Sequence, residues 1–383
     1  MTGLSAYTCS RIFDGDNFHK DAALLVEGGR VKAIVPLGAL QADQVRTDLG
    51  NSTLVPGFVD LQVNGGGGLM LGDVDCVEDI ARICHAHLQL GTTSLTPTLI
   101  TDSPEVTRRV LKLGIEAWAE GVRGFHGLHL EGPHLYAGRK GAHDASLIRP
   151  IEDDDMDLYL YAASQLPSLM ITVAPETVRP EQISRLAGAG IHVSLGHSGA
   201  SYKECSTAAE AGAACVTHLF NAMSPLQHRE PGLVGAALDL GSLSAGLIAD
   251  GVHVDPAAIR IALEAKSGPG RIFLVTDAMS QTGTDVTSFH LGGREIFRQD
   301  GRLTLSDGTL AGADIDLPTS VAYLVESVGV DIESALSMAT SFPADIVGRP
   351  LGRLKVGCQA DFVCLDDDFK IVGVWLSGHA LGE

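Results

Sequence analysis

The sequence is poor in positive charge and in aromatic side chains. Its 27 lysine and arginine residues face 47 aspartates and glutamates, and aromatic residues make up 5% of the 383-residue chain. The formal charge of -20 at pH 7 argues against nucleic acid or an anionic membrane as a partner, because both repel an acidic surface. An anionic small substrate remains compatible with this charge, because a local cationic pocket can outweigh the field of the whole molecule.

Long apolar segments and paired cysteines are also missing. No apolar run is long enough to cross a bilayer, and residues 1–10 lack a basic flank followed by an apolar stretch. We therefore expect neither a membrane span nor a secretory signal. The seven cysteines are scattered and form no C-x-x-C pair, which is typical of reduced thiols in a cytoplasmic protein.

The middle of the chain alternates short apolar runs with helix-length segments. The runs are rich in Val, Ile, Leu and Thr, as is typical of strands covered on both faces. Between two of them, Val77, Ile80, Cys84 and Leu88 recur at helical spacing. The alternation predicts the fold class α/β, as a closed (β/α)8 TIM-like barrel with its chemistry at the carboxyl ends of the strands. The predicted strands are residues 54–63, 93–99, 125–131, 169–175, 191–197, 214–220, 245–250 and 271–277.

Both ends of the chain have a β pattern instead. Residues 22–36 predict a hairpin that turns at two glycines, and residues 360–365 and 371–376 predict strands near the other end. Neither end alone supplies enough strands for a stable sheet. We therefore predict a small β-sandwich domain assembled from both chain termini, residues 1–54 and 349–383, in addition to a barrel domain of residues 55–348.

Four reactive side chains stand at the ends of predicted strands: Glu131, His197, His218 and Asp277. One carboxylate and two imidazoles can hold a zinc-like ion and leave one position open for water. A further carboxylate can then move the proton of that water. Each residue also has a plainer reading, such as a turn cap for Glu131 or a helix N-cap for Asp277. Taken together, the four predict a metal-dependent hydrolase.

A second histidine pair, His85 and His87, resembles a ligand motif but falls within a predicted helix. Residues two positions apart on a helix point about 200° away from each other and cannot hold one ion. We therefore exclude both residues as ligands.

Several motifs, taken in order, resemble those of one enzyme family. PGFVD (56–60) and GCQADFV (357–363) resemble the amidohydrolase superfamily, and the internal motifs resemble its N-acetylglucosamine-6-phosphate deacetylase family. The resemblance covers nearly the whole chain. Each motif is weak alone, but the ordered set is specific. The internal motifs are HLEGP (129–133), KGAH (140–143), GHSG (196–199), THLFNAM (217–223), REPG (229–232), DGVH (250–253), TDA (276–278) and GTLAG (308–312).

The resemblance implies a role for each strand-end residue. It implies Glu131, His197 and His218 as metal ligands, and Asp277 as the catalytic group that takes a proton from the attacking water and gives it to the departing amine. It also implies that His143, a catalytic and substrate-binding residue, steadies the amide carbonyl and its oxyanion.

The substrate phosphate needs donors and positive charge. Asn221 and Ala222 can present backbone N–H groups after the sixth strand, and Arg229 can supply a bidentate cation, unless it only pairs with Glu230. The resemblance implies that Arg229 reaches the phosphate from a neighbouring subunit, which predicts a homodimer. The remaining substrate-binding predictions are His228 beside Arg229, His253 at the sugar or its phosphate, and Leu310, Ala311 and Gly312 at the sugar pocket.

Two departures from related patterns concern the metal. Gln62 and Asn64 stand where many amidohydrolases carry His-x-His, and neutral amides are poor ligands for a transition-metal ion. We therefore predict one divalent metal per subunit, Zn²⁺ or alternatively Fe²⁺. His134 replaces the bulky residue common in the family; it either hydrogen-bonds locally or tunes the pocket near the metal.

The predicted reaction is metal-dependent hydrolysis of the acetamide of N-acetylglucosamine 6-phosphate to glucosamine 6-phosphate and acetate, in amino-sugar catabolism and cell-wall recycling. Three alternatives stay open: the same chemistry on N-acetylgalactosamine 6-phosphate, a hydantoinase-like ring amidase, and a non-catalytic scaffold on an amidohydrolase fold. The ring amidase would need a carboxylated lysine on a central strand, whereas Lys140 falls in a predicted loop.

Overall fold

The computed structural model of the protein describes residues 3–41 and 45–382. The strands of these residues are β1 Ser5–Thr8, β2 Arg11–Phe13, β3 Phe18–Lys20, β4 Ala22–Glu27, β5 Arg30–Pro36, β6 Arg46–Asp48, β7 Thr53–Pro56, β8 Phe58–Val63, β9 Gly65–Gly66, β10 Leu69–Met70, β11 Thr92–Ile100, β12 Leu128–Glu131, β13 Leu169–Val173, β14 His192–Leu195, β15 Cys215–Val216, β16 Ser244–Leu247, β17 Ile272–Leu274, β18 Ser288–Leu291, β19 Arg294–Gln299, β20 Arg302–Thr304, β21 Leu310–Ala313, β22 Phe362–Leu365, β23 Ile371–Leu376 and β24 His379–Ala380.

The helices of the same residues are α1 Val77–Leu88, α2 Pro104–Ala119, α3 Asp153–Gln165, α4 Pro180–Gly188, α5 Tyr202–Glu210, α6 Gly232–Asp239, α7 Pro256–Ala265, α8 Leu317–Tyr323, α9 Ile332–Ala339 and α10 Ser341–Ile346. Short 3₁₀ turns cover Leu37–Ala39, Leu71–Asp73 and Ala137–Arg139, and a π-helical turn covers Leu324–Val328.

The barrel is an eight-stranded parallel sheet in the order β8, β11, β12, β13, β14, β15, β16, β17. Helices α1 to α7 alternate with these strands along the sequence, so that one helix separates each barrel strand from the next. The ends of the first and last strands meet, because the N–H of Asp277 donates to the Gln62 carbonyl at 3.0 Å and that of Asn64 to the Ala278 carbonyl at 2.8 Å. The predicted (β/α)8 barrel is thereby confirmed.

The strand predicted over residues 54–63 is wrong in one respect: it is two strands that belong to two sheets. β7 pairs with β22, with Pro56 opposite Phe362, whereas β8 pairs within the barrel. The chain passes from one sheet to the other at Gly57. A side chain at this position would collide with Thr93, because an added Cβ would lie 1.9 Å from the Thr93 hydroxyl oxygen. Because both segments are apolar, their pattern gives no sign of the change.

The β domain is assembled from both ends of the chain, as predicted. One sheet has the order β24-β23-β22-β7-β2-β3 and the other the order β5-β4-β1-β6. Residues of both sheets share a buried cluster that includes Tyr7, Leu24, Leu54 and Phe362. The predicted hairpin is β4 and β5, joined by Gly28 and Gly29 at φ +59° and +76°, the left-handed backbone that a two-residue hairpin turn requires.

Contacts divide the chain into two compact units that differ from the predicted domains. One unit holds the residues up to Asp60, His87–Ser94 and the residues from Asp316 onward, and the other holds Leu61–Ala86 and Leu95–Ile315. Helices α8, α9 and α10 thus group with the β strands of the chain ends. The domain boundaries 54/55 and 348/349 stay a prediction. Within the described residues, no helix is both long and apolar enough to span a bilayer.

One element of the second unit was not predicted. Strands β18 to β21 form an antiparallel four-stranded sheet inserted after the last barrel strand. Ile296 and Leu303 are fully buried in it, and they cluster with Met279 and Ala311. The sheet brings residues 309–312 to the carboxyl end of the barrel, where a bridge joins Ala278 to Ala313.

Candidate active site

The reactive residues sit where the barrel strands end, in unusual backbone conformations. Glu131 is the last residue of β12, whereas His197, His218 and Asp277 follow the ends of β14, β15 and β17. These three have φ values of +47°, +29° and +52°, a region that side chains other than glycine rarely adopt. Such strain persists where the surrounding structure enforces it and is typical of functional sites.

Glu131, His197 and His218 form a compact buried cluster. Glu131 Oε1 lies 3.2 Å from His197 Nε2 and 3.0 Å from His218 Nε2, and the two nitrogens lie 3.0 Å apart. All three residues are at most 5% exposed. His197 Nδ1 donates to the Arg139 carbonyl at 2.9 Å, so its Nε2 lone pair faces the cluster.

This donor set fits a divalent cation. In tetrahedral coordination with metal–ligand distances of about 2.0–2.1 Å, two ligand atoms lie about 3.3–3.4 Å apart. The three distances within the cluster are close to that value. Glu131 and His197 also meet His143, with one ligand atom from each residue within 4.8 Å of the others. Two sets of three ligands, sharing Glu131 and His197, are therefore geometrically available.

The hydrogen bonds of His143 distinguish the two sets. Its Nδ1 accepts the N–H of Thr101 at 3.2 Å and contacts the Thr101 hydroxyl at 2.8 Å. Burial, followed by the charge of His197, lowers the pKa of His143 to about 3, so the ring is neutral and Nε2 carries its proton. Nε2 lies 3.8 Å from Glu131 Oε2. A protonated nitrogen is a donor and not a ligand, which favours His218 as the third metal ligand.

Glu131 and His218 have pKa values shifted in opposite directions, and the hydrogen bond between them contributes to both shifts. Burial alone would raise the pKa of Glu131, but hydrogen bonds from His197 and His218 hold it well below its usual range. Burial lowers the pKa of His218, but the adjacent Glu131 carboxylate outweighs this and the net shift is upward. The Glu131 carboxylate and the His218 imidazole thus stabilise each other's charged forms, and a bound cation would displace the imidazole proton.

Asp277 is held by two amide side chains from the end of the first barrel strand. Its Oδ1 accepts from Asn64 Nδ2 at 2.7 Å and from Gln62 Nε2 at 3.1 Å, and Gln62 Nε2 also lies 3.1 Å from Glu131 Oε1. Burial and the nearby Glu131 charge raise the pKa of Asp277. Gln62 and Asn64 therefore act as donors to the carboxylates, which is the alternative to metal ligation.

His253 is held by a carboxylate on its own loop. Asp250 Oδ2 lies 2.6 Å from His253 Nδ1, while Asp250 Oδ1 accepts the N–H groups of Val252 and His253 at 2.8 Å. Burial opposes ionisation of Asp250, but the hydrogen bond and charge of His253 lower its pKa overall. The paired Nδ1 leaves Nε2 as the polar edge of the ring that can meet a ligand.

A cavity of about 250 Å³ contains the cluster and most of the predicted site residues. Its wall includes the four strand-end residues together with His143, Asn221, Ala222, His253, Leu310 and Gly312. Ala311, His228 and Arg229 are not part of this wall. Ala311 is fully buried behind it, and residues 225–230 are exposed.

Arg229 does not pair with Glu230, and the backbone N–H of Asn221 is already used within the protein. No residue in the described part of the chain pairs with the Arg229 guanidinium, and Glu230 instead accepts from the N–H groups of Tyr202 and Gly232. The N–H of Asn221 donates to the His218 carbonyl at 3.0 Å. Of the two predicted backbone donors, Asn221 and Ala222, the N–H group of Ala222 is therefore the one available to an anion.

Two other histidine predictions have clear outcomes. The His85 and His87 pair lies in α1, as predicted, with His85 exposed and His87 2% exposed, and its exclusion as a ligand pair stays a prediction. His134 hydrogen-bonds locally: its Nδ1 donates to the Arg149 carbonyl at 3.0 Å, and its Nε2 lies 3.0 Å from the Tyr159 hydroxyl. His134 is outside the cavity wall, and burial lowers its pKa to about 4.

Sequence reasoning missed residues that orient the site. Thr101 sets the tautomer of His143, and Asp250 sets that of His253. The role of Asp250 could have been predicted from the sequence, because Asp250 stands three positions before His253 in the DGVH motif (250–253). The contact of Gln62 with Asp277 spans 215 positions and depends on barrel closure, which no local pattern reports.

A closed (β/α)8 barrel with this cluster at its strand ends defines the class of metal-dependent barrel hydrolases. The family model "Amidohydrolase family" matches residues 53–381. The chain belongs to the amidohydrolase family.

Relatives within the family are similar over most of their length. An N-acetylgalactosamine-6-phosphate deacetylase from Shewanella sp. (strain ANA-3) is 42% identical over 341 residues, 89% of this chain and 86% of the relative. An N-acetylglucosamine-6-phosphate deacetylase from Mus musculus is 36% identical over 98% of this chain and 95% of the relative. The crystal structure of N-acetylglucosamine-6-phosphate deacetylase from Pasteurella multocida superposes with a TM-score of 0.94 at 34% identity, covering 99% of this chain and 100% of that one.

Proposed function

We propose that the protein hydrolyses the acetamide of N-acetylglucosamine 6-phosphate to glucosamine 6-phosphate and acetate, in amino-sugar catabolism and cell-wall recycling. The observation that carries this proposal is the convergence of Glu131, His197 and His218 beside the buried carboxylate of Asp277, in a chain similar to sugar-phosphate deacetylases. The ring-amidase alternative lacks support, because Lys140 lies just before the His143 loop and not on a barrel strand.

Glu131, His197 and His218 are the proposed ligands of one divalent ion per subunit. The proposed ion is Zn²⁺, with Fe²⁺ as the alternative that the same donors accept. A divalent ion held by these residues would supply Lewis-acid chemistry to the amide carbonyl and the attacking water. Gln62 and Asn64 already donate to Glu131 and Asp277, which supports a single ion.

Asp277 is the proposed catalytic acid and base. Its Oδ1 is fixed by Asn64 and Gln62, which leaves Oδ2 to take a proton from the attacking water. The same oxygen then gives the proton to the sugar nitrogen as the C–N bond breaks. Neutral His143 presents Nε2–H towards the cluster, and this fixed donor stabilises the oxyanion that develops on the amide oxygen.

The sugar phosphate is proposed to lie between the loops that follow β15 and β16 and the strand β21. Asn221 and Ala222, His253, and the residues Leu310, Ala311 and Gly312 are the proposed contacts, of which Ala311 acts through its backbone. His228 and Arg229 are proposed to reach the phosphate of a partner subunit in a homodimer. The guanidinium of Arg229 supports this proposal, because it is exposed and has no partner among residues 3–41 and 45–382, so it is available for a ligand outside its own chain.

A second candidate substrate is N-acetylgalactosamine 6-phosphate. The observation that favours it is the 42% identity to a deacetylase of that name, above the 36% identity to the mouse N-acetylglucosamine-6-phosphate deacetylase. The two sugars differ in the configuration of one hydroxyl group. A cytoplasmic location is also proposed, and the seven unpaired cysteines support a reducing compartment.

The test is a comparison of kcat/KM for the two sugar phosphates, using protein loaded with Zn²⁺ or Fe²⁺. The proposal predicts release of acetate from both, with N-acetylglucosamine 6-phosphate preferred. A preference of about tenfold or more for the galacto epimer would move the assignment to the second candidate. Absence of turnover for both, with metal bound, would refute the deacetylase function.

A further inference from the structure

A row of buried polar side chains crosses the barrel strands shortly before the proposed metal ligands. The Thr172 hydroxyl lies 2.7 Å from His129 Nε2 and 2.7 Å from the Thr217 hydroxyl. The Ser194 hydroxyl lies 2.7 Å from that of Thr217, and at the other end His129 Nδ1 donates to the Leu61 carbonyl at 3.0 Å. The four side chains are at most 4% exposed. This polar row, His129, Thr172, Thr217 and Ser194, connects four neighbouring barrel strands, β12 to β15, at or next to their ends.

Polar side chains are unusual in this part of a barrel. Val, Ile and Leu usually fill the barrel interior, and a buried hydroxyl costs free energy unless it is hydrogen-bonded. One hydroxyl carries a single proton and accepts through its oxygen, so Thr172 and Thr217 can each donate to one neighbour and accept from the other. The row is therefore satisfied only as a set, because removal of one member deprives its neighbours of a partner.

Thr172 connects the segments that carry two of the proposed ligands. Its hydroxyl contacts His129, which stands two residues before Glu131 on β12. The same hydroxyl contacts Thr217, the residue directly before His218. Thr172 itself lies on β13, which supplies none of the proposed ligands. Its contacts therefore serve the strands on either side.

The segment of the third proposed ligand packs against the same side chain. Gly196 directly precedes His197. A Cβ added to Gly196 would lie 2.8 Å from Thr172 Cγ2 and 2.9 Å from Thr217 Cβ, whereas carbon atoms in contact lie about 3.5–4.0 Å apart. The backbone before His197 is thus pressed against Thr172, with no room for a side chain between them.

We propose that Thr172 is a positioning residue for the metal site: its hydroxyl holds the segments that carry Glu131, His197 and His218 at the spacing that one divalent ion requires. The proposal rests on the metal site of the proposed function. His197 and His218 have φ values of +47° and +29°, and strain of this kind persists where neighbouring groups enforce it. Groups that orient metal ligands typically contribute about 10–100-fold to metal affinity.

The test is the dissociation constant of Zn²⁺, measured by competition between the metal-free protein and a chromophoric chelator. Thr172→Val keeps the shape of the side chain but removes both hydrogen bonds, and it is expected to weaken Zn²⁺ binding by about tenfold or more. Thr172→Ser keeps the hydroxyl and is expected to restore binding to within about fivefold of the wild type. A variant Thr172→Ser as weak as Thr172→Val would overturn the role of the hydroxyl.

Thr107→Val is the matched control. Thr107 is 4% exposed, and its hydroxyl donates to the Ser103 carbonyl at 2.9 Å at the start of α2. Loss of this buried hydrogen bond is expected to lower the melting temperature of the metal-free protein but to leave the Zn²⁺ dissociation constant within about twofold. An equal loss of Zn²⁺ affinity in Thr107→Val and Thr172→Val would show a general effect of destabilisation and would overturn the positioning role.

The kinetics give a second readout. With Zn²⁺ at saturation, Thr172→Val is expected to lower kcat by about tenfold while KM for the sugar phosphate stays within about twofold, because the proposed sugar and phosphate contacts are not altered. If Thr172→Val does not fold, Ser194→Ala replaces it. This variant removes only the last hydrogen bond of the row, and a loss of Zn²⁺ affinity of about threefold or more is expected.

Failure of this role and failure of the proposed function are separate outcomes. Wild-type protein that binds Zn²⁺ but hydrolyses neither sugar phosphate refutes the proposed function, while the Zn²⁺ measurements still decide the role of Thr172. Wild-type protein that binds no Zn²⁺ overturns both. Losses of Zn²⁺ affinity smaller than those expected for folded Thr172→Val, or for Ser194→Ala in its place, overturn the positioning role and leave the proposed function standing.

Discussion

Replacing Asp277 by asparagine tests the proposed proton transfers. The side chains have the same shape, and the asparagine oxygen can still accept from Asn64 and Gln62, which lie 2.7 and 3.1 Å from Asp277 Oδ1. The variant should therefore fold and keep the Glu131, His197 and His218 cluster. It loses the one oxygen that can accept and return a proton.

The expected loss follows from the two transfers that Asp277 performs. A positioned acid or base contributes about 10²–10⁴-fold to a rate, and Asp277 acts once in each role. We expect kcat to fall by about 10³-fold or more, with the melting temperature and the metal content unchanged. Release of glucosamine 6-phosphate, metal analysis and a thermal melt measure the three quantities. A kcat within about tenfold of wild type at full metal content would refute the role.

Further predictions concern the metal, the dimer and pH. Removal of the ion with a chelator should abolish turnover and lower the melting temperature, and Zn²⁺ should restore both; an unchanged melt would contradict binding at the cluster. Arg229→Ala and Asp277→Asn subunits should each be nearly inactive, whereas an equal mixture should recover up to about a quarter of wild-type activity after subunit exchange. About half of the dimers are then mixed, and one of the two sites in each mixed dimer has both residues. No recovery after subunit exchange would argue against sharing. Burial raises the pKa of Asp361 from 3.8 to about 6, so the folded state favours the protonated carboxyl. The contribution of this group to folding stability is therefore fully present below pH 3.8 and is lost as the pH rises through 6. The variant Asp361→Asn keeps an acceptor for the Ser377 N–H but cannot ionise. The free energy of unfolding of this variant should exceed that of the wild type by up to about 3 kcal/mol at pH 8 and should match it at low pH. Denaturant unfolding at both pH values measures this difference, and a gap independent of pH would contradict the assignment.

The barrel could be predicted from the sequence because its signals are local. Each strand is a short apolar run, and Glu131 and Asp277 stand at or just beyond the ends of two of them. The rule that parallel strands place their carboxyl ends together then brings residues 146 positions apart into one site. The hairpin of β4 and β5 was equally local, since its two turn glycines are adjacent.

The remaining features depend on long-range geometry. The division of residues 54–63 between two sheets depends on the pairing of β7 with β22, more than 300 positions away. The hydrogen bonds from Gln62 to Glu131 and Asp277 depend on how the first strand meets the third and the last. The inserted sheet of β18 to β21 has short strands with mixed burial, and their composition does not set them apart from a loop. Side-chain tautomers, such as that of His143, are fixed only by partners that folding brings together.

The most direct test of the account is the kinetics of the metal-loaded protein on N-acetylglucosamine 6-phosphate, beside unphosphorylated N-acetylglucosamine. The account predicts acetate release from the phosphorylated sugar, with kcat/KM higher by about a hundredfold or more, because phosphate binding holds the amide in the geometry for attack. Equal kcat/KM for the two sugars would contradict the phosphate contacts. No release from either, with the ion bound at Glu131, His197 and His218, would contradict the central claim.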